Sequence, residues 1–131
     1  MSRPRRSPLF APPSRYGIGD MGPEALRFAD FLNDAAQTVW QILPLTTIDG
    51  GCGNSPYSPT SAFAGNPLLI SPEALADSGL IDEADLTDVP AFDDARVDYD
   101  RVRAFKDVLL RRAWSNFKRA GARSRYERFF A

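Results

Sequence analysis

The run Trp40–Gln41–Ile42–Leu43–Pro44–Leu45, with the loop behind it, constrains this chain more than any other stretch. Val39 to Leu45 is nearly all apolar and sits between a helix-like segment and a turn-rich one. That pattern predicts a strand buried on both faces, as in an α/β sheet or barrel. The next apolar run begins only at Leu68, so the connection far exceeds the few residues that usually join elements. Long loops of this kind tend to carry function. Residues 49–58 read Asp-Gly-Gly-Cys-Gly-Asn-Ser-Pro-Tyr-Ser. The glycines permit unusual backbone angles, the hydroxyls and amide offer hydrogen bonds, and Tyr57 adds a flat apolar face with a polar tip. Such a mixture suits a sugar better than a phosphate.

Upstream, Leu9-Phe10-Ala11 is a brief extended run among prolines, and residues 16–22 form a glycine-rich turn. Pro23 and Glu24 stand where a first helical turn favours proline and acid. Ala25, Phe28, Ala29, Leu32 and Ala36 recur at helical spacing, with Arg27, Asp30, Asn33 and Asp34 facing outward. Extended run, helix and buried strand make a candidate βαβ unit. Gly17, Gly19 and Gly22 fit the spacing of a dinucleotide fingerprint, but no strong strand precedes them. Asp20 is expected to cap the helix or its turn, Asp49 to act as a turn residue, and Asn66 to fix the loop through side-chain-to-backbone bonds. Trp40 and Phe63 are expected in the core.

Downstream, Ser71-Pro72-Glu73 should start a helix that Gly79 closes, and Asp82 with Asp85 could cap a short turn. Residues 87–99 read as an irregular acidic connector. Asp100 is placed to cap the longest helix, about 101–120, with Val102, Phe105, Val108, Leu109, Ala113, Trp114 and Phe117 inward. Ser124 to Glu127 has capping-box spacing, and the helix it announces, with Tyr126, Phe129 and Phe130, is cut off at Ala131.

Composition narrows the chemistry. The 131 residues contain one cysteine and no histidine, which excludes an internal disulfide, a Cys–His nucleophile pair and a Ser-His-Asp triad within them, and makes a zinc site unexpected. No metal and no cofactor is expected. No apolar run approaches the length of a membrane span, and the basic start lacks the apolar core of a secretion signal, so a cytoplasmic location is expected. Net charge is −1, which argues against a nucleic-acid or membrane partner. Residues 82–100 hold eight acids and one arginine, whereas 101–131 hold ten basic residues and two acids. The basic charges are interleaved with apolar residues at helical spacing and read as a solvated helix face answering the acidic segment.

Five strings carry a family resemblance: Tyr-Gly-Ile-Gly-Asp-Met-Gly (16–22), Phe-Ala-Asp-Phe-Leu (28–32), Trp-Gln-Ile-Leu-Pro-Leu (40–45), Gly-Asn-Ser-Pro-Tyr-Ser (53–58) and Ser-Ala-Phe-Ala-Gly-Asn-Pro-Leu-Leu-Ile (61–70). In this order they resemble the N-terminal part of the 4-α-glucanotransferases, the amylomaltases of glycoside hydrolase family 77. The resemblance implies an α/β fold, the N-terminal part of a (β/α)₈ barrel with the beginning of an inserted helical subdomain. Residues 1–80 would supply the first β/α units with a glucan-binding loop at 46–67, and residues 81–131 a truncated helical insertion. A whole barrel takes about 250 residues, so a fragment or truncated member is expected. Family enzymes transfer a segment of an α-1,4-glucan to the 4-hydroxyl of glucose or another glucan by a retaining covalent mechanism. The family's catalytic carboxylates lie on later strands, so these residues alone are expected to be inactive, with no catalytic residue assigned. What the resemblance carries over is substrate binding by Ser55 and Tyr57, with α-1,4-glucan as the partner. Tyr57 packing its loop onto the barrel is the structural alternative, and a non-catalytic glucan-binding or structural module is the functional one. Cys52 stands where many members carry an aromatic residue of a secondary glucan site.

Overall fold

A computed structural model describes residues 14–93 and 95–120. They form three α-helices, α1 (Pro23–Asp34), α2 (Pro72–Asp77) and α3 (Tyr99–Arg119), with single 3₁₀ turns at Gly50–Cys52, Pro67–Leu69 and Glu83–Leu86. The expectations at Leu9–Ala11 and beyond Ala120 lie outside the described residues.

Local chemistry sets most of the boundaries. α1 opens with Pro23 at its first position, behind Gly22 in extended conformation. It closes without a glycine: Gln37 N donates to Leu32 O at 2.8 Å and Ala36 N to Asn33 O at 2.9 Å, and Ala36 takes φ 55°. This Schellman closure puts a Cβ in left-handed conformation, at a cost of about 1–2 kcal/mol. α2 starts as expected, with Ser71 Oγ accepting from Ala74 N at 3.3 Å, and ends at Gly79, φ 67°. Asp82 and Asp85 form the expected capping box. α3 begins two residues earlier than expected: Asp98, not Asp100, is the cap, its Oδ1 accepting from Arg101 N at 3.1 Å.

The expected strand at Val39–Leu45 is not formed. Among the described residues there is no strand, and only an isolated antiparallel bridge joins Thr46 to Gly65. Burial on both faces needs a paired neighbour and a layer on each side, and the described residues supply neither. Trp40 and Leu43 lean on Leu69, while Val39 is 80% exposed and Ile42 and Leu45 are also exposed. The α/β sheet is therefore not built within these residues.

The core is assembled on α3. Val102, Lys106, Leu109 and Ala113, spaced four, three and four apart, are its buried stripe. Val102 packs with Ile18, Ile48 and Leu68, and Leu109 and Ala113 pack with Tyr16, Ile81 and Leu86. The expected inward set is corrected at Val108 and Trp114, which are exposed, because at about 100° per residue each lies more than a quarter turn away from the Val102–Leu109–Ala113 line. Gly17 is required where Tyr16–Gly22 passes under α3: φ is 78°, and a Cβ there would lie 2.4 Å from the Phe92 ring. Tyr16 is buried, and burial foremost, with the Glu73 charge second, pushes its hydroxyl up to about 12.

Candidate functional site

The loop of residues 46–67 is a chain of small polar turns. Its two roots lie side by side: Asn66 N donates to Leu45 O at 2.8 Å and Thr47 N to Ala64 O at 3.1 Å. The Thr47 and Thr60 hydroxyls meet at 2.9 Å. Asp49 opens the first turn as expected, its Oδ1 accepting from Gly51 N at 3.2 Å, and Asn54 N returns to Asp49 O at 2.8 Å. Gly53 and Asn54, at φ 67° and 56°, reverse the chain; asparagine tolerates that region better than most residues with a Cβ. Asn66 also behaves as expected, Oδ1 accepting from Leu68 N at 3.1 Å.

Ser55 and Tyr57 follow this reversal. Ser55 is half-buried, and its Oγ accepts from Tyr57 N at 3.3 Å, which leaves the hydroxyl proton available to donate outward. Pro56 between them is buried, and Tyr57 is 71% exposed. A buried proline thus anchors a turn whose tyrosine ring stands in solvent. Phe63, expected in the core, is instead fully exposed: it sits on a second turn, where Ser61 Oγ accepts from Phe63 N and Ala64 N, and no described residue covers it. Trp40 is half-buried, edge-on to Phe28 at 5.1 Å.

Two residues that hold this site were not legible in the pattern. Arg103 of α3 donates through Nη2 to Ile48 O at 3.3 Å and to Asn54 Oδ1. Lys106, 1% exposed, donates to Leu68 O at 2.7 Å, Ile70 O at 2.9 Å and Asp20 Oδ2 at 3.2 Å, so all three ammonium protons are satisfied. Asp20 does hold its turn, Oδ1 accepting from Gly22 N at 3.1 Å, but it is also half of a buried ion pair. Burial pushes the Asp20 carboxyl up and the Lys106 ammonium down, and each charge opposes the shift of the other. The available signal was positional: Lys106 follows Val102 by four and precedes Leu109 by three, inside the apolar stripe. Among the described residues no cluster of His, Cys, Asp or Glu could hold a metal ion, and no helix is long and apolar enough to cross a membrane.

The 4-alpha-glucanotransferase of Synechocystis sp. is 50% identical over 106 residues, covering 81% of this chain and 21% of the relative. That of Thermus thermophilus is 41% identical over 119 residues, covering 91% of this chain and 23% of the relative. The structure of an amylomaltase from Streptococcus agalactiae in complex with acarbose superposes with a TM-score of 0.80 at 38% identity, covering 90% of this chain and 24% of that one. The chain thus spans about a fifth to a quarter of the length of these relatives. The family model described as 4-alpha-glucanotransferase matches residues 7–131, and the chain belongs to that family.

Proposed function

We propose that residues 46–67 are a glucan-binding loop, with Ser55 and Tyr57 contacting an α-1,4-glucan. The observation that carries this reading is the pairing on one anchored turn of an exposed tyrosine ring with a serine whose hydroxyl proton is uncommitted. The ring can lie against the C–H face of a glucose while Ser55 binds its rim. The protein that contains this sequence is a cytoplasmic 4-α-glucanotransferase that passes a glucan segment to the 4-hydroxyl of glucose or another glucan. In it, residues 1–80 contribute the first β/α units of a (β/α)₈ barrel and residues 81–131 begin a helical insertion. Val39–Leu45 becomes a strand there once neighbours pair with it.

Retaining transfer needs a carboxylate nucleophile and a carboxylic acid about 5–5.5 Å apart. Asp20 is committed to Lys106 and Gly22, and Asp49 to its turn, so both acids serve structure, which supports binding by Ser55 and Tyr57 rather than bond cleavage as the work of this loop. Calorimetry with maltoheptaose tests the reading on the 131-residue chain. Tyr57→Ala should remove roughly 1–3 kcal/mol of contact, about 5- to 150-fold in Kd, with little change in melting temperature. Glucose release from maltotriose should stay at the no-protein level. A large fall in melting temperature with unchanged affinity would make Tyr57 a packing residue.

A further inference from the structure

The loop that carries Ser55 and Tyr57 is not held by its own backbone alone. Arg103 Nη2 reaches Ile48 O at 3.3 Å and Asn54 Oδ1, residues 55 and 49 positions earlier in the chain. These two groups are the entry and the exit of the Asp49–Gly53 turn, so one guanidinium clasps both. Ile48 is buried against Val102, the neighbour of Arg103 on α3, which ties that end of the clasp to the core. Asn54 is held in left-handed conformation and leads directly into Ser55. One turn further along α3, Lys106 binds Leu68 O and Ile70 O, just past the loop's other root.

We propose that Arg103 is a positioning residue for sugar recognition: by fixing Asn54 against Ile48 it sets the direction in which the Ser55 hydroxyl and the Tyr57 ring are presented to an α-1,4-glucan. This rests on the reading of Ser55 and Tyr57 as glucan contacts. The guanidinium suits the task because its planar, rigid group holds Nη2 against both acceptors at little cost in freedom, whereas a lysine keeps the charge on a more flexible stem.

Cys52 supplies the readout. It is exposed, it is the single cysteine of the chain, and it lies inside the clasped turn. A nitroxide on Cys52 of the 131-residue chain reports loop order, and maltoheptaose titration of the unlabelled chain reports recognition. Arg103→Ala should sharpen the nitroxide spectrum and weaken binding about tenfold, the scale of losing charge-assisted hydrogen bonds, and Arg103→Lys should recover part of both. Asn54→Gly is the second variant, because glycine keeps the left-handed backbone, deletes the acceptor and leaves α3 untouched. It should give the same paired signature even if Arg103→Ala folds poorly. An unchanged Cys52 spectrum in Asn54→Gly and in folded Arg103→Ala overturns the clasp. A sharpened spectrum with unchanged affinity overturns its role in binding; if Tyr57→Ala also leaves affinity unchanged, the fault lies in the glucan reading and the clasp itself stands.

Discussion

Replacing Lys106 by methionine keeps the length and apolar stem of the side chain and removes only its charged tip. The consequences follow from what that tip touches. Asp20 loses its partner while remaining buried, and the Leu68 and Ile70 carbonyls lose the donor they share. Breaking a buried ion pair from one side costs about 3–5 kcal/mol, because an uncompensated charge is left behind. The orphaned carbonyls lie within the same network, so their penalty is not added in full. For a chain of this length that loss lowers the melting temperature on the order of 10–20 °C. The pH dependence is the sharper test. Burial already raises the Asp20 carboxyl above its ordinary 3.8, and Lys106 is the main influence holding it down. Without Lys106 the folded-state value rises further, so the folded variant holds a proton at a pH where the unfolded chain has released it. Stability attached to a raised carboxyl is complete below 3.8 and is lost as pH rises through the folded-state value. The deficit of Lys106→Met relative to wild type should therefore shrink on acidification from neutrality towards pH 4, because Asp20 becomes neutral. Urea unfolding at several pH values measures it. A deficit that is constant or grows on acidification refutes the account of a stranded Asp20 charge.

Gly17 and Gly79 both take positive φ, but a Cβ at Gly17 would strike Phe92 and Val102 whereas one at Gly79 meets open space. Gly79→Ala should cost about 1–2 kcal/mol for the left-handed backbone alone, and Gly17→Ala about 1–3 kcal/mol more for the overlap; equal costs by denaturant unfolding would discredit the packing of Phe92 over this turn. Asp98→Ala should cost about 1 kcal/mol as loss of the α3 cap, while Asp100→Ala, inside the first turn, should cost only a few tenths; a reversed order would return the cap to Asp100.

What the sequence determined by itself was everything that depends on near neighbours. Pro23, Ser71-Pro72, Gly79 and the Asp82–Asp85 pair set helix ends through bonds spanning three to five residues, and those ends stand where the spacing placed them. Asp49 and Asn66 were readable for the same reason, since each caps its own turn. The family was readable because its motif strings are long and ordered. The tertiary structure decided what depends on distant residues. An apolar run becomes a strand only where another chain segment offers its backbone, so Val39–Leu45 could not be settled by its own composition. Phe63 counts as core only if a layer covers it, and none of the described residues does. Lys106 stands in line with the apolar stripe of α3 and Arg103 beside it, so the pattern gives their positions but not their partners, which are carbonyls and side chains 36 to 86 residues away. No periodicity within α3 encodes acceptors that arrive from the Gly-rich loops, and only folding brings them into reach of the two cations.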